Sequence, residues 1–264
     1  MENVFFAKNQ YWRIINSMEL EIANALRESN KILLEIAESL KQLNKTLTID
    51  EDENDVQMEI NDTIDNCIQS NNMVDIQSTI EQINFINREL FISNTITEET
   101  AVHIVTMINN YNTIDELNQV KEEERLPIKI YINTDGGDLY AALSIVDAIK
   151  LSKTPIFTIV IGTAFSGGFF ISMVGHKRFC YPNASFMFHE GGCVWEGDAH
   201  KFHSHEQHYK SLLERVKKIV MDNSNINEEY YNAIRKDDNW WNAEEALKLK
   251  IIDNIMTKED INNE

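Results

Sequence analysis

Glycine is missing from the first 135 residues of this chain; all nine glycines fall between Gly136 and Gly197. Glycine supplies positive φ or lets one backbone approach another closely. Any specialised backbone geometry is therefore expected in that later stretch. Proline is equally scarce: Pro127, Pro155 and Pro182 are the only three, and each stands just before a β-like run (IKIYIN, IFTIVIG and ASFMFH). Proline at a strand start removes no ladder hydrogen bond. Three cysteines, Cys67, Cys180 and Cys193, fit neither a disulfide framework nor a C-x-x-C metal or redox spacing. Basic residues are few, 24 against 43 acidic, for a formal charge of -19. A phosphate backbone or an anionic membrane needs a basic footprint, so neither nucleic acid nor membrane is an expected partner. The N-terminus lacks a basic segment followed by an unbroken apolar stretch, so no secretory signal is expected and the cytoplasm is the default location. Residues 155–175 carry no charge, yet Pro155, Gly162, Gly167, Gly168 and Gly175 interrupt them. A buried strand running into a buried helix explains that stretch better than a membrane span.

Residues 1–82 have their own character. From Trp12 to Leu47 a heptad places Ile15, Ile22, Ser29, Ile36 and Leu43 at one seam position and Trp12, Glu19, Leu26, Leu33, Leu40 and Leu47 at the other, with all but Ser29 and Glu19 apolar. That pattern predicts a long helix with one apolar seam. The acidic stretch at 48–55 breaks it, and a weaker helical pattern follows from Ile60 to Ile80. A helical hairpin and an oligomerisation coil both satisfy this pattern. From residue 83 strands and helices alternate, which predicts crossover connections and a largely parallel, layered sheet. The expected division is a helical region 1–82, an α/β domain 83–258 and a polar tail 259–264. Strands are predicted at 88–94, 128–133, 156–162 and in the runs RFCYP and ASFMFH. Helices are predicted at 97–112, 139–151, 167–175, 198–221 and 227–236, with AEEALKL as the last.

Ser166 sits at a strand-to-helix turn between Phe165 and Gly167-Gly168. Such a turn lifts a hydroxyl out of the sheet and leaves the next N–H unpaired, although the first glycine of G-x-S-x-G is absent. Alone, this is equally a glycine-rich packing turn. Gly136-Gly137 ends the strand IYINTD and exposes amides able to face a developing oxyanion, or forms an ordinary tight turn. His189 ends the apolar strand ASFMFH beside Gly191-Gly192. An isolated histidine there would be a satisfied core residue.

In chain order INTDGG, GTAFSGG, YPNASFMFHEGG and DNWWNAEEALKLKIID resemble the ClpP family of self-compartmentalising serine peptidases. The resemblance covers about residues 83–258, and the spacings from Gly137 to Ser166 and from His189 to Asp238 are the family's. It implies the repeated ββα spiral of the ClpP/crotonase superfamily, preceded here by an all-α helical region. It implies Ser166 as nucleophile, His189 as general base and Asp238 as the orienting carboxylate, with Asp237 as its rival. The amides of Gly137 and Gly167 would form the oxyanion hole, and Gly136, Gly191 and Gly192 would border the substrate. Imidazole then takes the serine proton, the carboxylate holds its tautomer, and two N–H groups receive the tetrahedral oxygen.

Several positions depart from the family pattern. Thr134-Asp135 replaces Ser-Pro, Gly167 replaces a methionine, and Glu190-Gly191 replaces Gln-Pro. Asp135 and Glu190 are expected to place negative charge near the site. The resemblance implies a homo-oligomeric ring cleaving unfolded or tethered polypeptide, without a cofactor. Docking of an AAA+ unfoldase is the weaker implication, because 82 helical residues replace the family's short N-terminal segment. That extension suggests a specialised processing role, one version being a phage-type maturation protease. A crotonase-like acyl-CoA enzyme and a catalytically silent ring scaffold are the rival readings. His200, His203, His205 and His208 lie outside any H-E-x-x-H frame, so they read as solvated or interfacial rather than metal-binding. Trp240 and Trp241 are expected to anchor the final helix.

Overall fold

The computed structural model describes Ser78, residues 80–192, Val194 and residues 196–262. The heptad helix, Cys67 and Cys193 lie outside the described residues, as does the weaker helical pattern except for Ile80. The chain divides into units Met1–Asn87 and Arg88–Glu264. In the first, residues 80–86 are helical.

The second unit begins with β1 (Glu89–Ile92), α1 (Glu98–Leu117), β2 (Ile128–Thr134), α2 (Leu139–Leu151), β3 (Ile156–Phe165) and α3 (Gly167–Ser172). It continues through β4 (Lys177–Cys180), β5 (Ser185–Phe188), α4 (Phe202–Asp222), α5 (Glu228–Ile234), β6 (Asn239–Asn242), α6 (Ala243–Lys248), β7 (Asn254–Ile255) and α7 (Lys258–Asn262). All strand pairs are parallel except β5 with β6, so the unit is α/β with a mostly parallel sheet. The sheet runs β1-β2-β3-β4-β7, and β5 branches from β3 to pair with β6. β3 is thus shared: Phe157–Val160 pair with β4, whereas Thr163–Phe165 pair with β5.

The long helices each bury one stripe, whereas α3 is buried on all sides. On α1, Ala101, Ile104, Ile108, Tyr111 and Asp115 recur at helical spacing and are buried. The helix starts at a capping box between Thr97 and Thr100. It runs to Leu117, beyond the predicted residue 112, because Asp115 continues the buried stripe in disguise. The Asp115 carboxylate accepts from both terminal nitrogens of Arg88 and, at 2.8 Å, from Thr154 Oγ1. Those side chains are 5% and 1% exposed for Arg88 and Asp115. Burial also pushes the Tyr111 hydroxyl well above the ordinary tyrosine range, against the pull of Arg88. On α2, Ala141, Ala142, Ile145, Val146 and Ile149 form the stripe, and Asp138 caps the helix by accepting from the Ala141 amide at 2.8 Å.

The uncharged stretch 155–175 is β3 entering α3, both packed in the core. Among the described residues no helix is long and apolar enough to cross a membrane. β3 extends past the predicted residue 162 to Phe165, with a register shift opposite Asn133. The Asn133 side-chain oxygen fills that irregularity by accepting from the Thr163 amide at 3.0 Å. Two short strands, β6 and β7, were not anticipated, and α6 is followed by a further helix, α7. The Thr257 amide and hydroxyl both donate to Asp260 Oδ2 at 2.7 Å, which turns part of the expected polar tail into that helix.

Candidate active site

The first wall of the site is the turn between β2 and α2. Thr134 Oγ1 donates to the Asn94 carbonyl at 2.6 Å and accepts from the Gly136 amide at 3.1 Å. Ile96 then ties down the turn, donating to the Gly136 carbonyl and accepting from the Asp138 amide, both at 2.8 Å. Gly136 has φ +101, and a Cβ there would lie 2.7 Å from the Ser166 Cβ. Glycine therefore lets this turn touch the β3–α3 turn. A Cβ built on Gly167 would lie 3.7 Å from the Gly137 nitrogen, so the two loops present their amides side by side. Among the described residues, neither of those amides donates a hydrogen bond. They are free to bind an anionic oxygen.

Ser166 joins β3 to α3 at φ 51 and ψ -114, a strained conformation for a residue with a side chain. Its amide donates to the Met187 carbonyl at 2.9 Å, which prolongs the β3–β5 ladder by one step. The serine is thus carried on the longest strand and turned out of it. His189 follows the last residue of β5, and its Nε2 lies 2.8 Å from Ser166 Oγ. Its Nδ1 lies 3.2 Å from Asp238 Oδ1. With Nδ1–H donating to the carboxylate, Nε2 is left to accept the hydroxyl proton.

Asp238 owes its place to strand register. β6 runs antiparallel to β5 with Phe188 opposite Asn239, so one further step sets His189 opposite Asp238. Asp237 is off that step, and among the described residues it makes no hydrogen bond to His189. Sequence reading had no basis for this distinction beyond spacing, because a four-residue strand with sequence NWWN carries little β signal. The alternation of side chains across strands also places Met187 and Trp240 on the face of His189 and Asp238. Trp240 is 57% exposed and meets Phe165 edge-on at 4.9 Å. Trp241 points the other way, is buried and stacks on Phe169 at 5.7 Å. Only Trp241 therefore anchors the core beneath α6; its neighbour stands beside the serine turn.

Glu190 behaves differently from expectation. Its Oε1 accepts from the Tyr231 hydroxyl at 2.9 Å and from Arg235 at 3.2 Å, so its charge is matched rather than turned loose beside the site. Burial, and then the Glu190 contact, push the Tyr231 hydroxyl well above its ordinary range. Asp135 is exposed, and Gly191 and Gly192 lie in an open loop where an added Cβ meets nothing within 4 Å. Gly191 and Gly192 are not packed against the serine. Of the four histidines, His208 Nε2 lies 2.8 Å from the Tyr140 hydroxyl and His203 bonds Gln207 at 2.9 Å. Among the described residues no three His, Cys, Asp or Glu side chains are grouped to hold a metal ion.

Comparison with known proteins matches residues 68–259 to the family described as Clp protease. The curated relatives include the ATP-dependent Clp protease proteolytic subunits of Streptococcus pneumoniae strains Hungary19A-6, CGSP14 and ATCC BAA-255 / R6. Each is 37% identical over 142 residues, covering 51% of this chain and 71% of the relative.

Proposed function

This chain belongs to the Clp protease family and is a serine endopeptidase, and from that premise we propose that Ser166, His189 and Asp238 are its catalytic triad. The observation that carries the assignment is the unbroken path from Ser166 Oγ to His189 Nε2 at 2.8 Å and from His189 Nδ1 to Asp238 Oδ1 at 3.2 Å. His189 takes the hydroxyl proton as Ser166 Oγ bonds to the scissile carbonyl carbon. The oxygen of that carbonyl becomes an anion, which the Gly137 and Gly167 amides receive. His189 then gives its proton to the amide nitrogen, the C–N bond breaks, and an acyl-serine remains. Water, deprotonated by the same imidazole, releases the second product. Asp238 accepts from Nδ1–H throughout and so holds that tautomer.

Gly136 shapes the cleft floor, while Gly191 and Gly192 border the substrate from the open loop. Several features support the finer parts of this reading. The order β4–β5–α4 supports a ββα spiral. A parallel sheet is ordinarily covered on both faces. Phe91, on β1, is 45% exposed while stacked on Tyr131 at 5.0 Å, which supports burial against another copy in a homo-oligomeric ring. The relatives are named as proteolytic subunits of an ATP-dependent protease, which favours a polypeptide substrate unfolded elsewhere and a cytoplasmic setting.

The test is labelling of the full-length protein with a fluorophosphonate probe, beside turnover of casein and a fluorogenic peptide. Wild type is expected to label at Ser166 and to turn over substrate, and Ser166→Ala to lose both. Turnover that persists in Ser166→Ala would overturn the assignment.

A further inference from the structure

The contact between His189 and Asp238 is exposed, at 34% and 58% of the two side chains. An ion pair so open to water does little to hold its partners in one geometry. Something else has to fix the strand end that carries the histidine against the turn that carries the carboxylate. The Glu190 side chain is 13% exposed, and its Oε1 receives both the Tyr231 hydroxyl and the Arg235 guanidinium. Glu190 follows His189 directly. Arg235 caps α5 three residues before Asp238. Tyr231 is buried and packs against Phe188, the residue before His189, with ring centroids 5.5 Å apart. The Arg235 side chain is 37% exposed, so water screens its charge; the advantage over the His189–Asp238 contact lies at the better-buried Glu190 end, whose carboxylate is fixed by two donors rather than one.

We propose that Glu190 and Arg235 are positioning residues, whose bond, braced by Tyr231, locks the His189 and Asp238 segments into catalytic register. Neither touches substrate or the reacting atoms. The role rests on the triad assigned above. It is specific to this chain's Glu190, where the family pattern has glutamine.

The test uses the full-length protein with Arg235→Gln, Arg235→Lys and Glu190→Gln, beside Ser166→Ala. Peptide kcat and KM, fluorophosphonate labelling rate and melting temperature are measured for each. Arg235→Gln is expected to lower kcat and the labelling rate about tenfold with KM nearly unchanged, since small misplacements act on the chemical step. Arg235→Lys is expected to recover most of that loss. Should Arg235→Gln fail to fold, Glu190→Gln carries the test. It keeps an acceptor for Tyr231 but loses the charge, so a several-fold fall in kcat is expected. The proposal is overturned if kcat stays within about twofold of wild type while Ser166→Ala is inactive, or if the loss appears in KM alone. Full activity in Ser166→Ala would instead remove the triad on which it stands.

Discussion

A methyl group added at Gly136 would fall 2.7 Å from the Ser166 Cβ and 2.8 Å from the Phe165 carbonyl oxygen. Both distances lie inside van der Waals contact, and the φ of +101 adds strain of its own. Gly136→Ala is therefore expected to displace the serine turn and lower kcat about a hundredfold, the scale of a misplacement near 1 Å. Turnover and fluorophosphonate labelling would both register it; normal labelling would show that the turns do not abut as described. Cys180 gives a second test at this scale. Burial pushes its thiol up to about 12, so it is expected to resist alkylation at mildly alkaline pH until the protein unfolds. Mass spectrometry of the peptide containing Cys180, with and without denaturant, reads this directly. Ser166 and His189, the proposed nucleophile and base, stand out in the sequence because each lies beside glycines at the end of an apolar run. Glu190 was misread because its partners, Tyr231 and Arg235, are more than forty positions away. Local sequence shows a charge, but not what the fold sets against it.

At the scale of elements, α1 and β1 are joined by a pair that hydrophobic patterning hides. Asp115 occupies a core position on α1, and Arg88 enters the same core from the residue before β1. Removing one partner leaves the other buried and uncompensated, so Arg88→Met is expected to cost about 3–5 kcal/mol. A denaturant titration followed by circular dichroism checks it, and a loss below about 1 kcal/mol, the level of an exposed pair, would contradict the burial. The double change Arg88→Met with Asp115→Leu is expected to recover much of the loss, because apolar pairs replace such bridges well. The strands β1 to β3 and the helices α1 and α2 could be read from the alternation of strand-like and helical runs, helped at β2 and β3 by proline placement. β6 and β7 could not: NWWN sets its two apolar residues side by side between asparagines, and β7 has only two residues. That omission mattered most at Asp238, which the β5–β6 register selects over Asp237.

Across the whole unit, Arg178 draws distant segments together. Its guanidinium pairs with Asp253 ahead of β7 and donates to the Asn223 and Lys250 carbonyls at 2.5 and 2.8 Å. Burial works against the charge of the Asp253 carboxyl, but the Arg178 hydrogen bonds and positive charge outweigh it and hold that carboxyl below its ordinary value. A carboxyl depressed on folding contributes stability above its unfolded pKa, near 4, and loses it as pH falls through the folded value. Asp253→Asn is therefore expected to lower the melting temperature at about pH 7 and to converge with wild type near about pH 3. An equal gap at both would mean that the clamp works through shape rather than charge. The parallel, layered character of the unit was legible in the alternation of strands with helices. Its branching was not, because β3 reads as one continuous apolar run although it serves two neighbours in turn.

That division of β3 has a mechanical consequence. The serine stands where a fork divides: β3 brings it up beside β2 and the core helices and its own amide bonds the Met187 carbonyl of β5, whereas histidine and aspartate ride together on one tine, the β5–β6 pair. If the tine swings, the gap opens between hydroxyl and imidazole while imidazole and carboxylate travel as a unit. Deuterium uptake is expected to reach the amides of β5 and β6 well before those of β2 and the first half of β3. Early uptake confined to that pair would place the joint between hydroxyl and imidazole, with the frame of β2 and β3 left intact.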